Sequence, residues 1–261
     1  MTILVVGATG NVGRHVLAGL DAAGEDVRGL SRSGGPGLVA GSLPDLPVEV
    51  LDGVDRVFLL WPTTNAEGAQ AVAELLARHV RHVVYLSAIG GGAFHAEVEE
   101  QLRRSGVAWT FLRAGGFATN TLGWADDVRA GVVRWAYGEG GRSLIHQRDI
   151  ADVAVAALTQ PGHEGATYDL TGPSVVTQIE QVRLIGEAAG VDVRWEEIPG
   201  DELLKSLVGQ GWDPEFATGA VGYWASLVTN PETTTNGVAE ITGHPARTFA
   251  EWAAEHADDF R

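Results

Sequence analysis

Residues 3–13 read Ile-Leu-Val-Val-Gly-Ala-Thr-Gly-Asn-Val-Gly, and this opening constrains the fold more than any other stretch. Four apolar residues, Ile3 to Val6, predict a short buried strand. Glycines follow at 7, 10 and 13, and an apolar helical pattern then runs through Val16, Leu17 and Leu20. A strand, a glycine turn and a helix start together form the place where a dinucleotide pyrophosphate docks. The glycines let the backbone turn tightly and approach the phosphates, while the helix N-terminus offers free N–H groups and a positive dipole end. The spacing is G-x-x-G-x-x-G rather than G-x-G-x-x-G, so its weight comes from the strand before it and the helix after it. The segment nominates Gly7, Thr9, Gly10, Asn11, Val12 and Gly13 as cofactor-binding residues. A carboxylate at Gly10 or Gly13 is expected to expel the pyrophosphate and leave the fold standing.

The 261 residues suffice for one large α/β domain, or for one domain with a small appendage. There is no Cys, hence no disulfide framework, thiolate nucleophile or cysteine metal site. No metal site is expected from the histidines either: His79 and His82 lack a carboxylate partner pattern. No apolar run approaches the roughly 18–20 residues of a membrane span. The first six residues read as strand rather than as a charged n-region, so a cytoplasmic location is the expectation. The net charge of −16 opposes nonspecific nucleic-acid binding. A small-molecule substrate is the expected partner, with a homodimer as one assembly left open and no membrane partner expected. Lys205 is the only lysine among the 18 basic residues, so a choice of Arg over Lys carries little information here.

Along the chain, Val27–Leu30 reads as a second strand and Leu38–Ala40 as a third. Only Ser31 to Gly37 lies between them. A parallel crossover normally carries a helix of ten or more residues. Seven residues at roughly 3.3 Å each return about 20 Å, enough to reach a neighbouring strand without one. One crossover helix is therefore predicted to be missing. A short helix over 44–52 comes next. Further strands are expected at 56–61, 83–87 and 109–112, with helices at 65–79 and 94–105. This alternation is that of a doubly wound parallel sheet of Rossmann type. The second half is less regular. It predicts helices at 149–159, 177–189, 201–209, 214–229 and 247–258, and strands at 167–170 and 193–198. Asp149 is expected to cap the first of these helices, and Thr177 with Glu180 to form a capping box. The whole, 1–261, is expected to be a single domain. Residues 1–150 are its mainly dinucleotide-binding core, and 151–261 contribute a small substrate-covering lobe.

Ligands in such sheets sit at the C-terminal strand ends. After strand two stands Ser31-Arg32-Ser33, where NAD binders tend to place an acid. Arginine suits a 2′-phosphate through forked, charge-assisted hydrogen bonds, so NADP(H) is expected, with Arg14 able to assist. Trp61-Pro62 and Ser87 follow strands four and five and are expected to touch the cofactor. Ala88, Ile89, Phe117, Asn120 and His146 are expected to line an apolar substrate pocket, with Trp61 and Phe117 as aromatic walls. His95, near a helix start after a ligand-facing strand end, could give a proton or a hydrogen bond to a carbonyl, or simply pair with Glu99. No tyrosine has a lysine four places on, so the usual tyrosine–lysine proton donor of short-chain dehydrogenases is absent. No G-x-S-x-G elbow is present.

Several segments occur in a telling order. They are the glycine turn, Leu51-Asp-Gly-Val-Asp55-x-Val-Phe-Leu, Val83-Val-Tyr-Leu-Ser87, His95-x-x-x-Glu99-x-x-Leu-x-x-Ser105-Gly106, Trp109-Thr-Phe-Leu-Arg113-Ala-Gly-Gly-Phe117-x-x-Asn120 and Ile145-His-Gln-Arg-Asp149-Ile-Ala151. With Thr242-Gly-His-Pro-Ala-Arg-Thr-Phe-Ala-Glu-Trp252, which is similar to bacterial members, they resemble the NmrA-like family of atypical short-chain dehydrogenases, including its NADPH-dependent quinone-reductase branch. The resemblance covers nearly the whole chain. Two departures stand out: Ala114 replaces a frequent proline, and residues 31–37 replace a crossover helix.

The resemblance implies an NADPH-dependent oxidoreductase acting on a small quinone-like, enone or aromatic carbonyl acceptor. Two other functions fit the same residues. One is a non-catalytic NADP(H) sensor, which the missing tyrosine–lysine pair would suit. The other is a secondary-metabolism isomerase or cyclase with structural NADP(H).

Overall fold

The structure is a computed structural model that describes residues 2–261. The first six strands and three helices follow the order the sequence expects: β1 (Thr2–Val6), α1 (Gly13–Ala22), β2 (Asp26–Ser31), β3 (Leu38–Ala40), β4 (Val54–Leu60), α2 (Ala69–His79), β5 (His82–Ala88), α3 (Gly92–Ser105) and β6 (Ala108–Ala114). No helix separates β2 from β3, and the region expected as a helix over 44–52 is a single 3-10 turn at Val48–Leu51. The chain continues through α4 (Ala125–Arg129), β7 (Val132–Trp135), β8 (Gly141–Arg142), α5 (Gln147–Thr159) and β9 (Ala166–Leu170). It ends with β10 (Val176–Thr177), α6 (Gln178–Ala189), β11 (Arg194–Glu197), α7 (Gly200–Gly209), α8 (Pro214–Ser226), α9 (Gly237–Thr242) and α10 (Phe249–Glu255).

Two compact units arise. The first holds the residues up to Gly115, then Gln147–Leu170 and Asn236–Pro245. Its sheet runs β3-β2-β1-β4-β5-β6-β9, with every pairing parallel. The strand order reverses between β1 and β4, which puts the topological switch point at the end of β1. Ile3 to Val5 are fully buried and Val6 is 6 % exposed, as a strand covered on both faces requires. Helix α2 buries Ala69, Val72, Ala73 and Leu76, the i, i+3, i+4, i+7 stripe of an amphipathic helix. The stripe packs on Val57, Leu59, Val83 and Tyr85 of the sheet.

At the lower end of this sheet His82 is 2 % exposed. The Thr110 hydroxyl donates to the His163 carbonyl, 2.6 Å away, so Thr110 Oγ1 accepts from His82 Nε2 at 2.8 Å. That leaves Nδ1 buried with no hydrogen-bond partner. Burial is the main cause that pushes the His82 pKa down to about 4; Arg56 and His163 add to it, and Glu164 opposes it.

The second unit holds Gly116–His146, Thr171–Thr235 and Ala246–Arg261. Val128, Val133, Val182, Ile185, Phe249 and Trp252 form its larger core, and α7 and α8 close a smaller one on Leu203, Leu207, Ala217 and Val221. Two local expectations change here and in α5. Thr177 does accept the Glu180 N–H, but the Glu180 carboxylate turns to Arg183. Asp149 lies inside the first turn of α5, fully buried, rather than at its cap.

Candidate active site

The glycine turn leaves β1 through Gly7, whose φ of 75° suits a residue without a side chain. The N–H groups of Gly7 and Ala8 both donate to Leu30 O at 3.0 Å, which ties the turn to the end of β2. Helix α1 then starts so close to the turn that a Cβ on Gly13 would lie 2.1 Å from Gly7 O. A Cβ on Gly10 would meet only Gly7 O, at 3.2 Å. Val12 precedes the helix without any side-chain cap, and the first turn carries no acidic residue. The helix end is thus left for an anion from outside the protein.

A cavity of about 280 Å³ opens on this turn. Gly7, Thr9 and Gly10 line one side, and Ser31 and Arg32 another, with Pro62 closing it. A glycine turn and an arginine on one cavity, with an uncapped helix start just after the turn, fit a dinucleotide with a phosphorylated ribose. Gly41, Ser42 and Leu43, beyond the end of β3, also line it and are not among the residues the glycine turn and Ser31-Arg32-Ser33 point to. The strand-end rule applied to that three-residue strand would have found them. Asn11 is exposed, Val12 is buried at the helix start, and Ser33 is exposed on the loop outside the cavity lining.

A second cavity of about 280 Å³ lies at the ends of β5, β6 and β9. Ser87, Ala88 and Ile89 line it, as do His95, Glu99, Arg113 and Asp169. Its edge is charged, not the aromatic wall expected from Trp61 and Phe117. The Trp61 indole is 7 % exposed and packs into the core, its N–H donating to Asn65 O at 2.7 Å. Ser87 lines this second cavity, its hydroxyl donating to Glu99 at 2.7 Å, and is not among the residues that line the glycine-side cavity. Phe117, Asn120 and His146 fall in the second unit. There Phe117 bridges to Ile145, the Asn120 N–H donates to Phe117 O at 3.1 Å, and His146 is 1 % exposed beside Glu255, 3.4 Å away.

Glu99 organises the charged edge. Its carboxylate accepts from Ser87 Oγ at 2.7 Å, from Arg113 Nε and Nη2 at 2.9 and 2.6 Å, and from Arg103 at 3.0 Å. Burial alone would raise its pKa, but hydrogen bonds from Arg113 and Ser87, the Arg113 charge and the Arg103 bond hold it below the usual carboxylate range. Register explains the meeting, because Ser87 and Arg113 are direct partners on β5 and β6.

His95 lies on the same helix one turn earlier. It does not pair with Glu99: its Nδ1 is 2.8 Å from the Tyr85 hydroxyl, and its ring packs on Phe94 at 4.0 Å between centroids. Burial lowers its pKa more than the Glu99 charge raises it. His95 is therefore a neutral imidazole at neutral pH and can offer a hydrogen bond, but not an imidazolium proton.

Residues 7–161 match the family described as NAD(P)H-binding. The chain is 38 % identical over 287 residues to the (4-alkanoyl-5-oxo-2,5-dihydrofuran-3-yl)methyl phosphate reductase of Streptomyces griseus, covering 99 % of each chain. It is 35 % identical over 286 residues to the NAD(P)H azoreductase of Xenophilus azovorans, again covering 99 % of each. Among solved structures it resembles the NADPH complex of an Escherichia coli NADPH-dependent quinone oxidoreductase, with a TM-score of 0.80, 22 % identity, and coverage of 98 % of this chain and 99 % of that one. With its parallel seven-stranded sheet and its glycine turn at the switch point, the chain belongs to the NAD(P)H-binding family, as an NmrA-like atypical short-chain dehydrogenase.

Proposed function

We propose that this protein is an NADPH-dependent reductase of a small quinone-like, enone or aromatic carbonyl acceptor. The observation that carries the reading is the pairing of two cavities on one sheet unit: a glycine-floored, arginine-edged one, and a strand-end one with a neutral histidine. The relatives named as a furanone phosphate reductase and an azoreductase support a conjugated, electron-poor acceptor.

Gly7, Gly10 and the open end of α1 would hold the pyrophosphate, and Arg32 the 2′-phosphate. The bound reduced nicotinamide would supply a hydride to the acceptor. The protein's own part is placement and charge. His95 would donate a hydrogen bond to the acceptor oxygen as negative charge develops there, and solvent would supply the proton that neutralises the reduced product. The ion pair between buried Glu99 and half-exposed Arg113 holds the cavity edge in place and keeps the carboxylate from facing that charge.

Two measurements test this. NADPH oxidation against a panel of quinones and enones should show turnover, with His95→Ala lowering kcat roughly 100-fold. Tight NADPH binding without turnover on any acceptor would overturn the reductase reading. Arg32→Ala should weaken NADPH about 10- to 100-fold by calorimetry and leave NADH nearly unchanged. Equal losses for both cofactors would remove Arg32 from the 2′-phosphate.

A further inference from the structure

We propose that Tyr85 is a positioning residue that fixes His95 in its Nε2–H tautomer, so that the ring presents a donor to the acceptor. The inference rests on the reductase reading for its function, but its geometry stands apart from it. Tyr85 is fully buried on β5, and His95 Nδ1 lies 2.8 Å from its hydroxyl. The hydroxyl has no other hydrogen-bond partner among the described residues.

That isolation decides the direction of the bond. If His95 Nδ1–H donated to the tyrosine oxygen, the phenol O–H would stay buried with no acceptor, a loss of about 1–3 kcal/mol. If the phenol donates to Nδ1, only oxygen lone pairs go unused. The second arrangement places the single proton of a neutral imidazole on Nε2. With Nδ1 taken, Nε2 is the nitrogen left for a ligand in the cavity that His95 lines.

The surroundings keep both partners in these forms. Burial, then the Glu99 charge, raises the Tyr85 pKa, so the phenol remains a donor at any working pH. The charged groups lining the cavity with His95 are Glu99 of its own helix, Arg113 of β6 and Asp169 of β9. Ser87 and both arginines already hold the Glu99 carboxylate, so it does not compete for the imidazole.

Nitrogen-15 NMR of the labelled protein at pH 7, with His95→Ala for assignment, should show a His95 signal pair with Nε2 protonated and Nδ1 bare. A protonated Nδ1 would overturn the proposal, whether or not the protein turns over. Tyr85→Phe should abolish that tautomer preference and lower kcat about tenfold, with the KM for NADPH unchanged. In a His95→Gln background the amide donates without any tautomer, so adding Tyr85→Phe should cost no further activity. An equal loss in both backgrounds would mark Tyr85 as merely structural. A normal NMR tautomer with no effect of His95→Ala on rate would instead count against the reductase reading and leave the pairing intact.

Discussion

Gly10→Asp should weaken dinucleotide binding at least about 100-fold and leave the protein folded. The new Cβ meets only one atom within contact range, Gly7 O at 3.2 Å. The carboxylate would sit at an uncapped helix start with no other acid in its first turn, where a negative charge is favourable for the helix. It would also occupy the position the pyrophosphate needs, repelling it both by volume and by charge. A hundredfold loss corresponds to about 2.7 kcal/mol. Calorimetric titration with NADPH, beside a thermal melt, reads both quantities. Unchanged affinity in a folded variant would remove the glycine turn from the binding site. Gly13→Asp is a different experiment, contrary to what the sequence alone leads one to expect. Any side chain there drives its Cβ to 2.1 Å from Gly7 O and 2.7 Å from Gly7 C, backbone atoms that cannot swing aside. The helix would have to move off the turn, so folding and binding would fail together.

Acid should cost this fold stability through one buried ring. His82 has an ordinary pKa near 6.5 when unfolded and about 4 when folded. Between those values the unfolded chain binds a proton that the folded chain refuses, so stability rises with pH across that window. The contribution is fully present above about pH 6.5, declines as pH falls, and is lost by about pH 4. The 2.5-unit difference amounts to about 3 kcal/mol. His82→Phe keeps a ring of similar shape and removes the titration. Denaturant midpoints at pH 7 and pH 4 should therefore lie closer together in the variant than in the parent. Equal acid losses in both proteins would assign the effect to other groups.

How much of this could be read from the chain depends on the range of the forces involved. The glycine turn, the helix-free link between β2 and β3 and the position of Arg32 follow from local sterics and chain length, and the sequence carries those directly. The inward turn of Trp61 does not follow from its place at a strand end, because such a residue can face a ligand or the core and period-two alternation past the last ladder bond does not say which. Its indole found Asn65 O and went inward. The Glu99 cluster was illegible for another reason. Ser87, Glu99, Arg103 and Arg113 come from two strands and a helix, and only register brings them together. Tyr85 reads from sequence as one more apolar strand residue, and its single hydrogen bond is a tertiary fact.

The short link between β2 and β3 has a consequence for how cofactor preference can change. Ser31 O accepts from both Gly34 and Gly41, Ser31 Oγ donates to Gly34 O, and Gly35 pairs back to Leu38. The loop closes on itself, and Arg32, Ser33, Pro36 and Gly37 are exposed. In a fold with a helical crossover, rewriting this region would disturb a packed interface. Here Arg32, proposed above to meet the ribose phosphate, is an exposed residue of a loop whose hydrogen bonds are made to its own residues and to Gly41. On that proposal, recoding Arg32 and Ser33 between the two nicotinamide cofactors would change exposed side chains and leave the β2–β3 pairing untouched.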